Sequence, residues 1–336
     1  MVPNLARLDG RDAQAIVAAA TALADGRLVA FPTETVYGLG ARADDDAAVA
    51  AIFAAKGRPA DHPLIVHVTD AQAARSFARE WTDLAQRLAG AFWPGPLTLI
   101  VRRAPGRAHA AAGGHDTIGL RVPAHPVARA LLAEAARLGV AGVAAPSANR
   151  FGRVSPTSAE HVLAEFAGTT APIVVLDGGA CELGIESAIV DVSRQRPVLL
   201  RPGVLTRAQI EAAAGQPLLD ADATAPHASG TLEAHYAPRA RVRLMDAQSL
   251  RAAVQVLQEA GGAKTRTLAV YSRTVAPGAG FAYRTMSPTA AGAAQELFRV
   301  LRELDDEGVS LIWVESPPAS PEWDGVRDRL QRAAAA

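Results

Sequence analysis

Lys56 and Arg58 stand two residues apart in the string KGRPADHPLIVH. A compact ammonium and a five-donor guanidinium at that spacing suit an oxyanion, and His62 and His67 follow in the same string. Lys56 would equally favour the negative end of a helix finishing there, and His67 beside Ile65 also fits a satisfied, partly buried histidine. In PTETVYGLG, Thr33 and Thr35 offer hydroxyls, while Gly38 and Gly40 let backbone amides approach a ligand; a polar turn would have the same composition. Arg121 interrupts the apolar string TIGLRVPAHP. An arginine in such a strand needs solvent or an anion, and a ligand carboxylate is one satisfactory partner.

Ser147, Asn149 and Ser155 cluster in APSANRFGRVSPT, just ahead of an expected helix start near Thr157 or Ser158. Free amides and small hydroxyls at a helix start form a phosphate site, although ordinary capping explains Thr157 and Ser158 as well. Ser187 precedes a strand in GIESAIVD, and Arg201 ends one in LLRPG. WPGPLTLIV contributes shape, since its prolines donate no backbone hydrogen bond. The sequence has no G-x-x-x-x-G-K-[ST] loop, no H-E-x-x-H pair and no G-x-S-x-G elbow. Hydroxyls, amides and cations without a nucleophile and its orienting base favour chemistry by positioning and charge neutralisation.

These residues require elements that deliver them. Apolar spacing predicts a helix from Asp12 to Ala24, a strand over 28–31 stopped by Pro32, and a helix from Asp46 to Ala55 ended by Gly57. Further strands are expected over 64–68, 97–101, 117–122, 140–144, 173–177, 188–192 and 198–200, with helices over 71–77, 82–91, 126–136 and 159–166. This alternation predicts one large α/β domain over residues 1–210. Periodicity then fails, and 211–238 reads as an interdomain linker of the length that often serves as a lid. Its string HASGTLEAHYAP places His235 and Tyr236 where a mere tether needs neither. Residues 239–336 alternate strand and helix again, as in a small Rossmann-like parallel domain without the glycine-rich dinucleotide fingerprint.

The composition agrees with a globular enzyme. Apolar residues make up 49% and charged residues 20% of 336, enough to bury a core and inconsistent with a disordered chain. Lys and Arg number 34 against 34 Asp and Glu, so no global field attracts nucleic acid or an anionic membrane. The one cysteine, Cys181, excludes an internal disulfide and a cysteine-rich zinc site. The first five residues lack the pattern of a secretory leader, and no apolar run reaches the ~18 residues of a membrane span; a cytoplasmic protein is expected.

In order, PTETVYGLG, KGRPADHPLIVH, FWPGPLTLIV, GLRVPAHP, APSANRFGRVSPT, GIESAIVD and LLRPG resemble the YrdC and Sua5 family, and HYAP resembles the linker of its two-domain Sua5 form. The resemblance implies a YrdC-like twisted α/β sheet with a concave basic cavity, then the linker and the small α/β domain. It implies synthesis of threonylcarbamoyl-AMP and pyrophosphate from L-threonine, bicarbonate and ATP with Mg²⁺, feeding N6-threonylcarbamoyladenosine at position 37 of tRNA. Lys56 and Arg58 would do the central electrostatic work. Thr35, His67, Arg121, Ala145 and Ser187 would hold L-threonine; Arg58, His62, Thr117, Ser147, Asn149, Ser155, Arg201 and Tyr236 would hold ATP. The family's usual Thr after Glu-Ser is Ala188 here, and Ala228-Ser229-Gly230-Thr231 replaces its Ser-Pro-Gly-Met. Partners would be the small molecules, with tRNA or tRNA-modification proteins downstream and no membrane. The alternative is an RNA-binding module that keeps the basic surface without making an adenylate.

Overall fold

The computed structural model describes residues 5–259, 267–276 and 280–336; residues 1–4, which carry most of the leader expectation, lie outside them. The chain divides into two compact units, Met1–Phe151 with Ser155–Thr231, and Gly152–Val154 with Leu232–Ala336. The division at residue 231 falls inside the interval expected as a linker.

In the first unit the strands are β1 (Leu5–Asp9), β2 (Leu28–Pro32), β3 (Tyr37–Arg42), β4 (Ile65–His67), β5 (Leu97–Arg102), β6 (Thr117–Arg121), β7 (Val143–Ala144), β8 (Ile173–Asp177), β9 (Ala188–Asp191), β10 (Val198–Arg201) and β11 (Leu219–Asp220). They form one mixed sheet in the order β1-β8-β2-β3-β7-β4-β6-β5-β9-β10-β11. The helices are α1 (Ala13–Ala24), α2 (Asp46–Lys56), α3 (Ala71–Arg75), α4 (Asp83–Phe92), α5 (Pro126–Arg137), α6 (Ala159–Glu165) and α7 (Arg207–Ala214). Alternate residues of β2 serve opposite faces, as strand geometry requires. Val29 and Phe31 join α1 and α5 in one core cluster, and Leu28 and Ala30 join α2 and α6 in the larger one.

Helix ends set where the chemical strings begin. The Asp45 side chain accepts from the amides of Ala47 and Ala48 to start α2, and Gly57 ends it in the left-handed region at φ 64°. That conformation is easy for glycine and costly for a side chain, so the chain turns there and carries Arg58 away from the helix axis. Thr206 and Gln209 form a capping box that starts α7, a helix in which sequence periodicity was too short to register. The expected strand over 140–144 is reduced to Val143–Ala144, because Gly139 and Gly142 flank Val140 and the Cβ that Gly142 lacks would fall 2.7 Å from Val66.

In the second unit β12 (Arg241–Met245), β15 (Leu311–Glu315), β13 (Leu268–Ser272) and β14 (Ala282–Thr285) form a parallel sheet in that order, with α8 (Ala247–Glu259), α9 (Ala290–Asp306) and α10 (Asp324–Ala334). Glu315, at the C-terminal end of β15, accepts from the Ser272 hydroxyl at 2.5 Å and from the amides of Arg273 and Thr274 at 2.9 and 2.8 Å. This buried carboxylate is thus satisfied from within the unit and fixes the turn after β13.

Candidate active site

The sheet register assembles the site. His67 of β4 pairs with Arg121 of β6, and β5 runs antiparallel to β6 with Leu99 opposite Leu120, which sets Thr98 opposite Arg121. On the other side of β5, Leu97 pairs with Ala188, so Ser187 arrives beside Thr98; their hydroxyls lie 2.8 Å apart. The middle of this face is an apolar floor of Ile65, Ile100, Ile189, Val198 and Leu200, on which Ala225 and Ala228 pack.

Arg201 enters from β10. Its Nε and Nη2 donate to the Ser187 carbonyl at 3.1 and 2.9 Å, and Nη1 donates to the Ser229 carbonyl at 2.8 Å. Gly203 permits this approach, since a Cβ there would fall 2.4 Å from the amide nitrogen of Ala188. Arg58 donates through Nη2 to the Pro63 carbonyl at 3.1 Å and reaches the Ser229 hydroxyl at 3.5 Å. The Phe151 ring lies 5.9 Å from the Arg58 guanidinium and 5.4 Å from the His62 ring, so these three side chains form one wall. Ser229 therefore joins the two guanidiniums expected at phosphate.

Lys56 is buried, and its Nζ donates to the carbonyls of Ser147, at 2.6 Å, and Asn149. Burial, and behind it the charge of Arg58, drives its proton affinity well below that of a free lysine. Through these two hydrogen bonds the side chain holds the 147–149 loop in place. Phe151 donates its amide to the Lys56 carbonyl at 2.8 Å, which closes the loop onto the end of α2. Ser155 donates to Glu186 at 2.5 Å, next to Ser187.

His67 is 3% exposed, stands edge-on to Phe31 with centroids 6.0 Å apart, and has a buried Nδ1 without a hydrogen-bond partner among the described residues. Burial first, and Arg121 second, push it down to about 3, so the imidazole is neutral at neutral pH. Thr35 is fully buried, and its hydroxyl lies 2.8 Å from that of Thr33, which also donates to the Val36 carbonyl at 2.7 Å. Ala145 donates its amide to Ile65 at 2.9 Å at the exit of β7.

The register thus brings together Thr35, His67, Arg121, Ala145 and Ser187 around one end of β4 and β6, and Arg58, His62 and Arg201 through Phe151 and Ser229. Thr117 shares the Arg121 face but starts the strand, four residues and so about 13 Å away. Tyr236 belongs to the second unit. There it takes φ 62°, its ring stacks on Phe298 at 5.4 Å, and the Arg329 guanidinium lies 5.4 Å from the ring. Sequence reasoning missed Glu34, Thr98, Phe151, Glu186 and Ser229. Arg121, expected to meet a ligand carboxylate, also has one from its own chain: Glu34, 87 positions earlier, accepts from its Nη2 at 2.6 Å.

Fold and site together define an α/β enzyme in which guanidiniums and hydroxyls converge on one face of a twisted sheet. Residues 21–203 match the family of Sua5, YciO and YrdC described as Telomere recombination, and residues 205–335 match the family described as Threonylcarbamoyl-AMP synthase, C-terminal domain. The chain belongs to this Sua5 and YrdC family, in its two-domain form. It is 37% identical over 94% of its length to the Threonylcarbamoyl-AMP synthase of Pyrococcus abyssi, covering 92% of that protein. It is 37% identical over 95% of its length to that of Bacillus subtilis, again covering 92%. The crystal structure of P. abyssi Sua5 complexed with L-threonine superposes with a TM-score of 0.88 at 35% identity, covering 98% of this chain and 97% of that one.

Proposed function

We propose that the first unit condenses L-threonine, bicarbonate and ATP into threonylcarbamoyl-AMP and pyrophosphate, the activated precursor of N6-threonylcarbamoyladenosine in tRNA. The observation that carries this reading is the convergence of Arg58, Arg201 and Arg121 on one face through Ser229, Ser187 and Thr98. A carboxylate, a carbamate and a triphosphate held together bring several negative charges, and no single cation answers them.

Arg121 meets the threonine carboxylate. The neutral His67 and the Thr35 and Ser187 hydroxyls bracket its amine and side chain. The unprotonated amine attacks the carbon of bicarbonate, whose C–OH bond breaks so that the hydroxyl leaves as water with a proton from the amine, giving the carbamate; a neutral imidazole adds no positive charge that would oppose other cations nearby. The carbamate oxygen then attacks the α-phosphorus of ATP, and pyrophosphate leaves toward Arg58 and Arg201. The apolar floor keeps water from a carbamate that reverts readily in it.

Among the described residues, no group of three or more His, Cys, Asp or Glu side chains is placed to hold a metal ion, and Glu34 and Glu186 are engaged by Arg121 and Ser155. Magnesium would then be held by the nucleotide's phosphate oxygens and not by a protein carboxylate cluster, and would supply charge neutralisation there. Mass spectrometry of products from ATP, labelled bicarbonate and L-threonine tests the reading. Label in a threonylcarbamoyl-adenylate is expected; pyrophosphate release that ignores either co-substrate would sink it.

A further inference from the structure

The exit of β5, the start of β6 and the segment after α3 meet at the opposite end of β6 from Arg121. The Arg79 amide donates to the Arg102 carbonyl, the Arg103 amide to the Asp116 carbonyl and the Ala104 amide to the Phe77 carbonyl, each at 2.8 Å. These bonds fix the backbones of three arginines side by side. Arg79, Arg102 and Arg103, with His109 and Asp116, line a cavity of about 360 Å³, within the roughly 300–1,000 Å³ usual for ligand sites. Arg102 follows Thr98 by four residues on β5, so it stands on the order of 13 Å along the strand from the Thr98 and Ser187 pair.

Most of the donors here are unspent. Arg103 Nε donates to the His115 carbonyl at 2.9 Å and Nη1 to the Arg107 carbonyl at 3.0 Å, and Nη2 meets Nδ1 of His109 at 3.5 Å, so this guanidinium is held against the 104–115 loop. Arg102 gives one hydrogen, to the Ser193 carbonyl at 3.4 Å. The Arg79 side chain gives none among the described residues. No carboxylate among the described residues forms an ion pair with any of the three, although Asp116 lines the same cavity. Three guanidiniums and one carboxylate leave two positive charges. Like charges held together without a partner gain from an anion between them, and guanidiniums with hydrogens to spare can grip phosphate oxygens in pairs.

We propose that this cavity is a second anion site, apart from the substrate cleft, that binds a small ligand carrying one phosphate or two linked phosphates. The size of the ligand follows from what borders the arginines. Beyond Gly106 and His109 the groove continues past Asp44, Asp45 and Asp46. Asp44 is paired with Arg42 at 2.7 Å and Asp45 caps α2, so these carboxylates are fixed in place. A nucleic-acid strand running through both parts would carry its phosphates past them at a cost, whereas a small anion stays among the arginines. No Phe, Tyr or Trp lines the cavity to stack a base.

Calorimetric titration of inorganic pyrophosphate into the full chain tests this, at about 0.15 M salt so that long-range attraction is screened. The chain is first saturated with a non-hydrolysable ATP analogue and L-threonine, because Thr117, expected at ATP, pairs with Arg102. One equivalent of pyrophosphate should still bind. In the double variant Arg79→Ser with Arg102→Ser its dissociation constant should rise about tenfold or more, while adenylate formation stays within about twofold of wild type. If the double variant does not fold, Arg79→Ser alone makes the comparison, since that side chain holds nothing in place, and a several-fold rise is expected. Pyrophosphate that no longer binds once the analogue is present would put these arginines in the nucleotide site. Equal binding by wild type and variant would make them solvated surface charges, and a loss confined to an RNA oligonucleotide would make them a nucleic-acid contact. Each of these three results overturns the proposal. The comparison of wild type with variant holds whether or not the chain makes an adenylate, so it fails or stands separately from the function proposed above.

Discussion

Nη1 of Arg201 donates to the carbonyl of Ser229 at 2.8 Å, and the Ser229 hydroxyl lies 3.5 Å from Nη2 of Arg58. One residue of the 225–231 segment thus takes hydrogen bonds from the two guanidiniums expected at the triphosphate, while Ala225 and Ala228 rest on the apolar floor beside them. The hydrogens given to Ser229 cannot at the same time go to phosphate oxygens. A non-hydrolysable ATP analogue should therefore loosen this segment, seen as faster hydrogen exchange at the amides of 227–231, and L-threonine alone should not. Slower or unchanged exchange with the analogue would mean that nucleotide and segment bind side by side.

Thr98 is fully buried and its hydroxyl meets that of Ser187 at 2.8 Å. Thr98→Val keeps the shape and leaves Ser187 one partner short, a loss of about 1 kcal/mol in stability. Because Ser187 also contacts Arg201, the threonine KM should rise several-fold beside that small loss of stability. Steady-state kinetics beside urea denaturation would check this; a large stability loss with normal kinetics would assign the pair to the core instead.

His67 provides a pH test whose sign can be worked out. Its pKa falls to about 3 in the fold, chiefly through burial, against about 6.5 unfolded. Between those values the unfolded chain binds the extra proton, so stability rises with pH through this window and is lost as pH falls. Wild type should lose on the order of 2 kcal/mol more than His67→Gln between pH 7 and pH 5. Urea titrations of both proteins at the two pH values give the comparison, and parallel losses would show that His67 is solvated and titrates normally.

Much of this site was legible because its strings sit at strand ends and helix ends. Leu28–Pro32, Ile65–His67 and Thr117–Arg121 carry branched or apolar residues that mark strands, and each delivers a polar residue at its exit. What escaped had no local signal. β3 reads as a loop because Gly38 and Gly40 dilute its pattern, yet its pairing with β2 holds Tyr37 opposite Pro32. β1 is half exposed and gains its place only by pairing with β8 far along the chain. The Glu34 to Arg121 pair spans 87 positions, and nothing in either neighbourhood announces the other. The expected end of the first domain at 210 cuts through α7, which packs Ile210 and Ala214 into the main core.

Gly203 supports Ser187 from behind through space alone. A Cβ at this position would sit 2.4 Å from the Ala188 nitrogen and 3.0 Å from the Ser187 carbonyl carbon, and backbone cannot swing aside as a long side chain would. Gly203→Ala should therefore cost about 1–3 kcal/mol and displace Ser187, raising the threonine KM more than the ATP KM. A variant as stable as wild type, with normal kinetics, would contradict the close approach.

Lys56 separates two roles that its position invites. An ammonium facing phosphate and one tying down a loop both predict loss of activity in Lys56→Ala, but they differ in what else changes. Two of its three hydrogens go to the carbonyls of Ser147 and Asn149, and its carbonyl holds Phe151, whose ring lies against Arg58 and His62. Removing the side chain strands two buried acceptors, at about 1–3 kcal/mol each when no water replaces it, and frees the loop. Adenylate formation should fall at least about a hundredfold, and the amides of 147–150 should exchange faster even with no nucleotide present. Loss of activity with unchanged exchange in the free protein would assign Lys56 to direct phosphate contact, because a lysine that acts only on bound ATP leaves the empty loop as it was.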